Sequence, residues 1–194
     1  VKTTADLRRI GGARSLGMVP RGLQAPAQNL TARQRDRLLA GLRAFGAEAE
    51  RALSKLDAFE AAAIQVSGLL DARRLTGAAV VLASALASNG RKVSCRIGEG
   101  AVSANRLAEF TGDNLRLLGA ASDEPLHHSI QLDCLTPIAS EWRFSRVVQR
   151  SAVLVFVVPA GEVPEQDVTD FLEAALRSAA ASASTAMPNC RQAA

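Results

Sequence analysis

The sequence has few of the residues on which catalytic, metal-binding and membrane proteins most often depend. It has no tyrosine, one tryptophan and two histidines among 194 residues, and aromatic residues make up 4% of it. No apolar run approaches the ~20 residues that a membrane-spanning helix needs, so no transmembrane segment is expected. An aromatic platform on which nucleic-acid bases could stack is likewise unsupported.

Cysteine and histidine are too few and too poorly spaced for a metal centre. The three cysteines are odd in number and lack metal-ligand spacing, which predicts core thiols at Cys95 and Cys134 and a tail thiol at Cys190 in a reducing compartment. His127 and His128 are adjacent, and neighbouring side chains of an extended chain point to opposite faces. We therefore expect no bound metal and no cofactor.

What the sequence has in excess is arginine, and the net positive charge lies at its beginning. Residues 1–30 contain Lys2, Arg8, Arg9, Arg14 and Arg21 against one acidic residue, whereas the remaining residues hold 18 basic and 18 acidic side chains. Arginine outnumbers lysine 20 to three, which suits bidentate contacts to carboxylate or phosphate but also follows from a GC-rich genome.

Glycines and prolines interrupt residues 1–30 with no sustained hydrophobic period, which predicts an extended basic arm that becomes ordered on a partner. We expect Arg8, Arg9, Arg14 and Arg21 to make the docking contacts, to protein subunits of a larger assembly or, as an alternative, to nucleic-acid phosphates. An arginine-rich, acid-poor start at Val1 favours a processed mitochondrial protein over a cytoplasmic one.

After the arm, the pattern predicts an α/β domain over residues 31–181 and a flexible Ala/Ser-rich tail over residues 182–194. Thr31 and Gln34 form a capping box that opens a long helix ending near Leu56. A second helical region is predicted over residues 59–88, apolar on most sides after Ala78 and therefore buried. Together these form an N-terminal helical pair.

From Val93 onward, predicted strands alternate with predicted helices. Strands are expected near residues 93–95, 129–134 and 153–158, and helices near residues 103–111, 137–150 and 165–181. Alternation of this kind favours a three-layer α/β fold, in which helices cover both faces of a parallel sheet.

Residues 89–105 read as a helix end, a short strand, a glycine loop and a helix start. Asn89-Gly90 ends the helix, Gly98 and Gly100 allow a sharp turn, and Ser103 can cap the next helix. Such a loop can bind phosphate at a helix N-terminus, but two glycines are more often simply a tight turn.

Downstream, residues 136–146 read TPIASEWRFSR. With residues 89–105 this segment resembles the sugar-isomerase (SIS) domain, in particular phosphoheptose isomerases and their non-catalytic relatives. The matching positions include Gly98, Gly100, Ser103 and Glu109, and the resemblance spans roughly residues 31–181. It implies an SIS-like parallel sheet and a vestigial phosphate loop.

The resemblance also implies that catalytic groups are missing. The second phosphate loop of the family falls on residues 158–163, where only Gly161 remains, the hydroxyl positions are apolar, and Glu162 would set a carboxylate beside any phosphate. Glu109 remains as a vestigial metal or acid–base residue, but Arg106 lies in the segment that would supply the family's histidine.

We therefore expect a non-catalytic SIS-like pseudoenzyme that serves as an accessory subunit of a large assembly. A respiratory-chain complex, ATP synthase and the ribosome are the candidate assemblies, and the residues do not choose among them. The alternative is a phosphosugar-binding protein or a sedoheptulose 7-phosphate isomerase.

Overall fold

Five short strands form a single parallel sheet flanked by helices. The structure, a computed structural model, describes residues 15–19, 30–55, 64–97, 107, 111–119, 130–134, 153–159 and 161–185. In these residues the helices are α1 (Ala32–Ser54), α2 (Ala72–Ser88) and α3 (Glu165–Thr185). The strands are β1 (Ile64–Gly68), β2 (Val93–Ile97), β3 (Leu115–Gly119), β4 (Ile130–Cys134) and β5 (Val153–Val157), in the sheet order β3-β2-β4-β1-β5.

Local signals in the sequence place the ends of the first two helices. The Thr31 hydroxyl accepts a hydrogen bond from the Gln34 backbone N–H while the Gln34 side chain accepts one from the Thr31 N–H, which confirms the predicted capping box. At the end of α2, Gly90 adopts a φ of +88°, a conformation that side-chain-bearing residues rarely adopt. The predicted stop at Asn89-Gly90 is therefore confirmed.

Two strands differ from the sequence-based prediction. The prediction of continuous helix from residue 59 is wrong, because Ile64–Gly68 is an interior strand of the sheet. Leu115–Gly119 was not predicted and forms an edge strand. The other three strands and α3 lie where they were predicted, although α3 continues past residue 181 to Thr185.

Two further predicted helices fall largely outside the described residues. For residues 103–111 the structure describes only Leu107, which is helical and buried, and Thr111, which lies in a turn. Residues 137–150 lie wholly outside the description. Among the helices that the structure does describe, none is long and apolar enough to cross a membrane.

The sheet has one apolar face, on the side where α2 lies. Alternate residues of every strand join the hydrophobic core there, because successive side chains of a strand point to opposite faces. They are Ile64 and Val66; Val93, Cys95 and Ile97; Leu115 and Leu117; Ile130, Leu132 and Cys134; Val153, Val155 and Val157. This side contains most of the core of the domain.

The opposite face is largely polar and carries α3 at one end. The ring of Phe156 on β5 stacks on that of Phe171 on α3, with centroids 3.9 Å apart. Val168, one turn earlier in α3, is fully buried. Beyond α3 this face bears the alternating residues of the other strands, among them the buried Leu118 and the polar residues Gln65, Ser67, Ser94, Arg96, Arg116 and Gln131. Helices thus lie on both faces, as expected for a three-layer fold.

α2 is buried between the sheet and α1. Nine consecutive residues, from Ala79 to Ala87, are buried, which confirms that this part of the sequence is apolar because it is enclosed. α1 crosses α2 closely at Gly46, where a side chain would overlap the backbone carbonyl oxygen of Ala85. Beside the crossing, the Asn89 amide donates to the Arg43 carbonyl oxygen at 3.3 Å, and Arg91 Nε donates to Glu50 Oε1 at 2.6 Å.

We predict that Gly46→Ala lowers the free energy of unfolding by about 1–3 kcal/mol, because the added methyl group forces the two helices apart. Gly41→Ala is the matched control on the same helix, since no atom lies within 4 Å of its Cβ position. That control should raise stability by about 0.5–1 kcal/mol through helix propensity. Urea denaturation followed by circular dichroism measures both; if Gly46→Ala stabilises the protein as Gly41→Ala does, the close crossing is contradicted.

Candidate functional site

The candidate site lies at the carboxyl ends of β1 and β5, which are neighbours in the sheet. Ligands of open parallel sheets bind outside the carboxyl ends of the strands, often at a helix N-terminus. Here Asp71 follows β1 and begins α2, while Gly161 and Glu162 follow β5. We call Asp71, Arg74 and Glu162 the carboxyl-edge cluster.

Asp71 occupies the helix terminus at which an anion would otherwise bind. Its backbone is extended (φ −62°, ψ 160°), and its carboxylate accepts a hydrogen bond of 2.9 Å from the Arg74 backbone N–H. This is an N-cap, in which a negative side chain satisfies a donor that has no partner within the helix. The positive end of the α2 dipole is therefore already balanced by a carboxylate of the protein itself.

Arg74 and Glu162 form a two-pronged ion pair across 88 residues of sequence. Arg74 Nη1 donates to Glu162 Oε2 at 2.7 Å and Nη2 donates to Oε1 at 2.9 Å. This fork geometry is the arrangement in which arginine holds carboxylate most specifically. The guanidinium is thus oriented toward a carboxylate of the same chain.

The ion pair shifts the pKa of both partners. The hydrogen bond from Arg74 lowers the pKa of Glu162, and the same bond raises the pKa of Arg74. Both side chains are about half exposed, at 49% and 56%, so solvent screens their attraction and the pair contributes little to global stability. Its effect is local, because it joins the start of α2 to the β5–α3 turn.

Gly161 places Glu162 within reach of Arg74. The chain turns sharply after β5, with the Glu162 N–H directed to the Pro159 carbonyl at 3.5 Å, and Gly161 adopts a φ of +78°. Among the predicted loop positions that the structure describes, Val158 and Val163 offer no side-chain hydroxyl. The sequence located this turn and its carboxylate but not Arg74, the partner of Glu162.

Cys134, at the carboxyl end of β4, lies against Thr76 of α2. Its sulfur lies 3.8 Å from the Thr76 hydroxyl oxygen, and Cys95 is fully buried in the core. Burial raises the pKa of the Cys134 thiol, and the Thr76 hydrogen bond offsets part of that rise. A raised pKa keeps the sulfur protonated and weakly nucleophilic at neutral pH. Within the described ranges, no group of three or more His, Cys, Asp and Glu could hold a metal ion.

Most of the other predicted site residues lie outside the described residues. These are Gly98, Gly100, Ser103 and Glu109 of the first loop and helix, the docking arginines Arg8, Arg9, Arg14 and Arg21, and His127 and His128.

The middle of the arm, residues 15–19, is described, and it contacts the domain. Leu16 and Val19 pack against the hydrophobic core, and Gly17, with a φ of +110°, lies against the Glu48 carboxylate of α1. The expectation that the arm becomes ordered on a partner is therefore wrong for this segment, which packs on its own domain. Two apolar residues spaced three apart are too weak a pattern to indicate such packing from sequence.

No protein-family model, curated protein or solved structure matches this chain.

We predict that nuclear magnetic resonance titration will place the pKa of Glu162 below the usual glutamate value, and that Arg74→Gln will move it back up. Because the folded-state pKa is lowered, the pair's stabilisation is present above the unfolded-state pKa and is lost as pH falls through the lowered value. A Glu162 pKa that is the same in the wild type and in Arg74→Gln would contradict the ion pair.

Proposed function

We propose that this protein is a non-catalytic accessory subunit of a large mitochondrial assembly, an SIS-like pseudoenzyme in which the phosphate-binding edge of the sheet has been lost. A respiratory-chain complex, ATP synthase and the ribosome are the candidate assemblies. The observation that carries the proposal is the carboxyl-edge cluster, in which two carboxylates occupy the place where a sugar phosphate would bind.

The charge of the cluster disfavours a phosphate ligand. Asp71 and Glu162 bring two negative charges and Arg74 brings one positive charge, so the cluster is net negative. Two like unit charges ~4 Å apart repel by ~4 kcal/mol at an effective dielectric constant of ~20. A phosphate would also have to displace Glu162 from both nitrogens of its fork with Arg74.

The side chains at this edge also disfavour catalysis of an isomerisation. Proton transfer between neighbouring sugar carbons needs a positioned base with a pKa near the working pH. In the cluster, Glu162 has a lowered pKa and is held by Arg74, while the nearby Cys134 has a raised pKa. Neither shift produces a base suited to neutral pH.

Under this proposal the basic arm is the docking element of the subunit. Leu16 and Val19 hold the middle of the arm on the domain. The docking contacts are then assigned to Arg8, Arg9, Arg14 and Arg21, which lie on either side of that anchor in the sequence. The mitochondrial location rests on the arginine-rich, acid-poor composition of residues 1–30.

We predict that the purified protein does not isomerise sedoheptulose 7-phosphate, with or without divalent metal, because Val158 and Val163 offer the phosphate no hydroxyl and the carboxyl-edge cluster holds no suitable base. A coupled assay measures turnover, with an active phosphoheptose isomerase as the positive control. Turnover above the no-enzyme rate that Glu109→Gln abolishes would overturn the proposal and favour the enzyme.

We predict that replacing Arg8, Arg9, Arg14 and Arg21 by alanine in the full chain prevents co-purification with the native assembly and leaves the domain folded. Substitution is preferable to deletion because it keeps the packing of Leu16 and Val19. The matched control replaces four exposed basic residues elsewhere in the domain, Arg43, Arg73, Lys92 and Arg177, by alanine. If the arm variant assembles normally, the arm is not the docking element.

A further inference from the structure

One exposed face of α1 carries most of the positive charge of that helix. Seven exposed residues recur at the three- and four-residue spacing that aligns side chains along a helix. We call them the basic stripe: Arg33, Arg37, Ala40, Ala44, Glu48, Arg51 and Lys55. Four are basic and one is acidic. The two alanines leave the stripe without long side chains between Arg37 and Glu48.

Apart from Glu48, whose carboxylate lies against Gly17 of the arm, the basic stripe faces away from the side of α1 that packs on the domain. The side of α1 that packs against α2 contains Leu42, Phe45, Ala49 and Leu53, all of them buried. The basic stripe lies on the opposite side of the same helix. Within the described residues, none of its four basic side chains is in an ion pair.

α3 carries the opposite charge on its exposed side. Its first three turns bear four exposed carboxylates, which we call the acidic patch: Glu165, Asp167, Asp170 and Glu173. Gln166 donates a hydrogen bond of 2.7 Å to Asp170, but none of the four carboxylates is in an ion pair within the part of the chain that the structure describes. Val168, between them, is buried toward the sheet.

The two charged surfaces lie on opposite sides of the sheet. α1 packs on α2, which covers the apolar face, whereas Phe171 of α3 stacks on Phe156, which points from the other face. Surfaces so placed cannot pair within one molecule, but they can pair between two. The contact would be heterologous, so a pair of molecules would keep one free stripe and one free patch.

We propose that the basic stripe of one molecule docks on the acidic patch of a second copy of this chain, and that the protein associates head to tail. The first half of the stripe and the patch are comparable in length: Arg33 to Ala44 spans ~16 Å along α1 and Glu165 to Glu173 spans ~12 Å along α3, at ~1.5 Å per residue. The small side chains of Ala40 and Ala44 allow a second helix to approach the stripe closely.

The charges of both surfaces favour a second copy over a nucleic acid as the partner. A nucleic acid could bind the basic stripe but would be repelled by the acidic patch, whereas a second copy can bind both. This inference is independent of the proposed function, because it uses neither the carboxyl-edge cluster nor the arm.

The association is expected to be weak and to depend on salt. Exposed ion pairs contribute little individually, and the screening length falls from ~30 Å at 0.01 M salt to ~3 Å at 1 M. Analytical ultracentrifugation of the full chain should show a mass that rises with protein concentration at about 20 mM salt. It should return to the monomer mass of 20.4 kDa at about 500 mM salt.

Charge reversal tests which surfaces are responsible. Arg33→Glu with Arg37→Glu, and separately Asp170→Lys with Glu173→Lys, should each weaken the low-salt association at least about tenfold. An equimolar mixture of the two double variants should associate again, because the unchanged patch of the first meets the unchanged stripe of the second and the two reversed surfaces also meet each other. The control, Arg73→Glu with Lys92→Glu, makes the same change in net charge as the stripe variant at exposed positions outside both surfaces and should associate as the wild type does. Circular dichroism checks that each variant is folded.

Three outcomes would overturn the proposal. The first is a wild type that stays monomeric at every concentration at low salt. The second is weaker association on reversal of the acidic patch but not on reversal of the stripe, which would assign the basic partner to the arm. The third is failure of the two reversed variants to associate when mixed, which would mean that the stripe and the patch do not meet.

Discussion

The enclosure of α2 between the sheet and α1 is the constraint on which the rest of the domain depends. A helix buried on one side needs only an apolar stripe, but a helix buried on every side needs small or apolar residues all round. From Ala79 to Ala87 alanine, valine, leucine and a single serine meet this need. The small residues let both neighbours approach, and Gly46 of α1 completes the fit where the helices cross. The two polar links beside the crossing, at Asn89 and Arg91, then hold the end of α2 where β2 begins.

Elements marked by local chemistry could be predicted from the sequence. The capping box at Thr31, the glycine stop at Gly90 and the apolar run of β5 each act within a few residues, and all three are confirmed. β1 could not be predicted in this way. Its five residues, IQVSG, lie next to long alanine-rich segments, and they are a strand because β4 and β5 pair with them on either side. β3 is equally short, and it depends on its pairing with β2.

The candidate site repeats this division between local and long-range information. The Gly161 turn and the carboxylate of Glu162 could be placed from their own few residues. Arg74 could not, because it meets Glu162 only when β1 and β5 are neighbours, and β1 was read as helix. One missed strand thus concealed the residue that neutralises the carboxylate. The same reasoning accounts for residues 15–19, whose packing depends on a surface made by distant parts of the chain.

The unequal faces of the sheet have a consequence for how its strands align. Parallel strands enclosed on both sides are usually apolar throughout, and such strands can slide past one another with little change in what they bury. In β1 and β2, by contrast, core residues alternate with Gln65, Ser67, Ser94 and Arg96. A shift of one residue would turn these polar groups toward α2 and expel Ile64, Val66 and Val93 from the core. The polar residues on this face therefore disfavour a one-residue shift in the pairing of β1 and β2, the two interior strands on either side of β4.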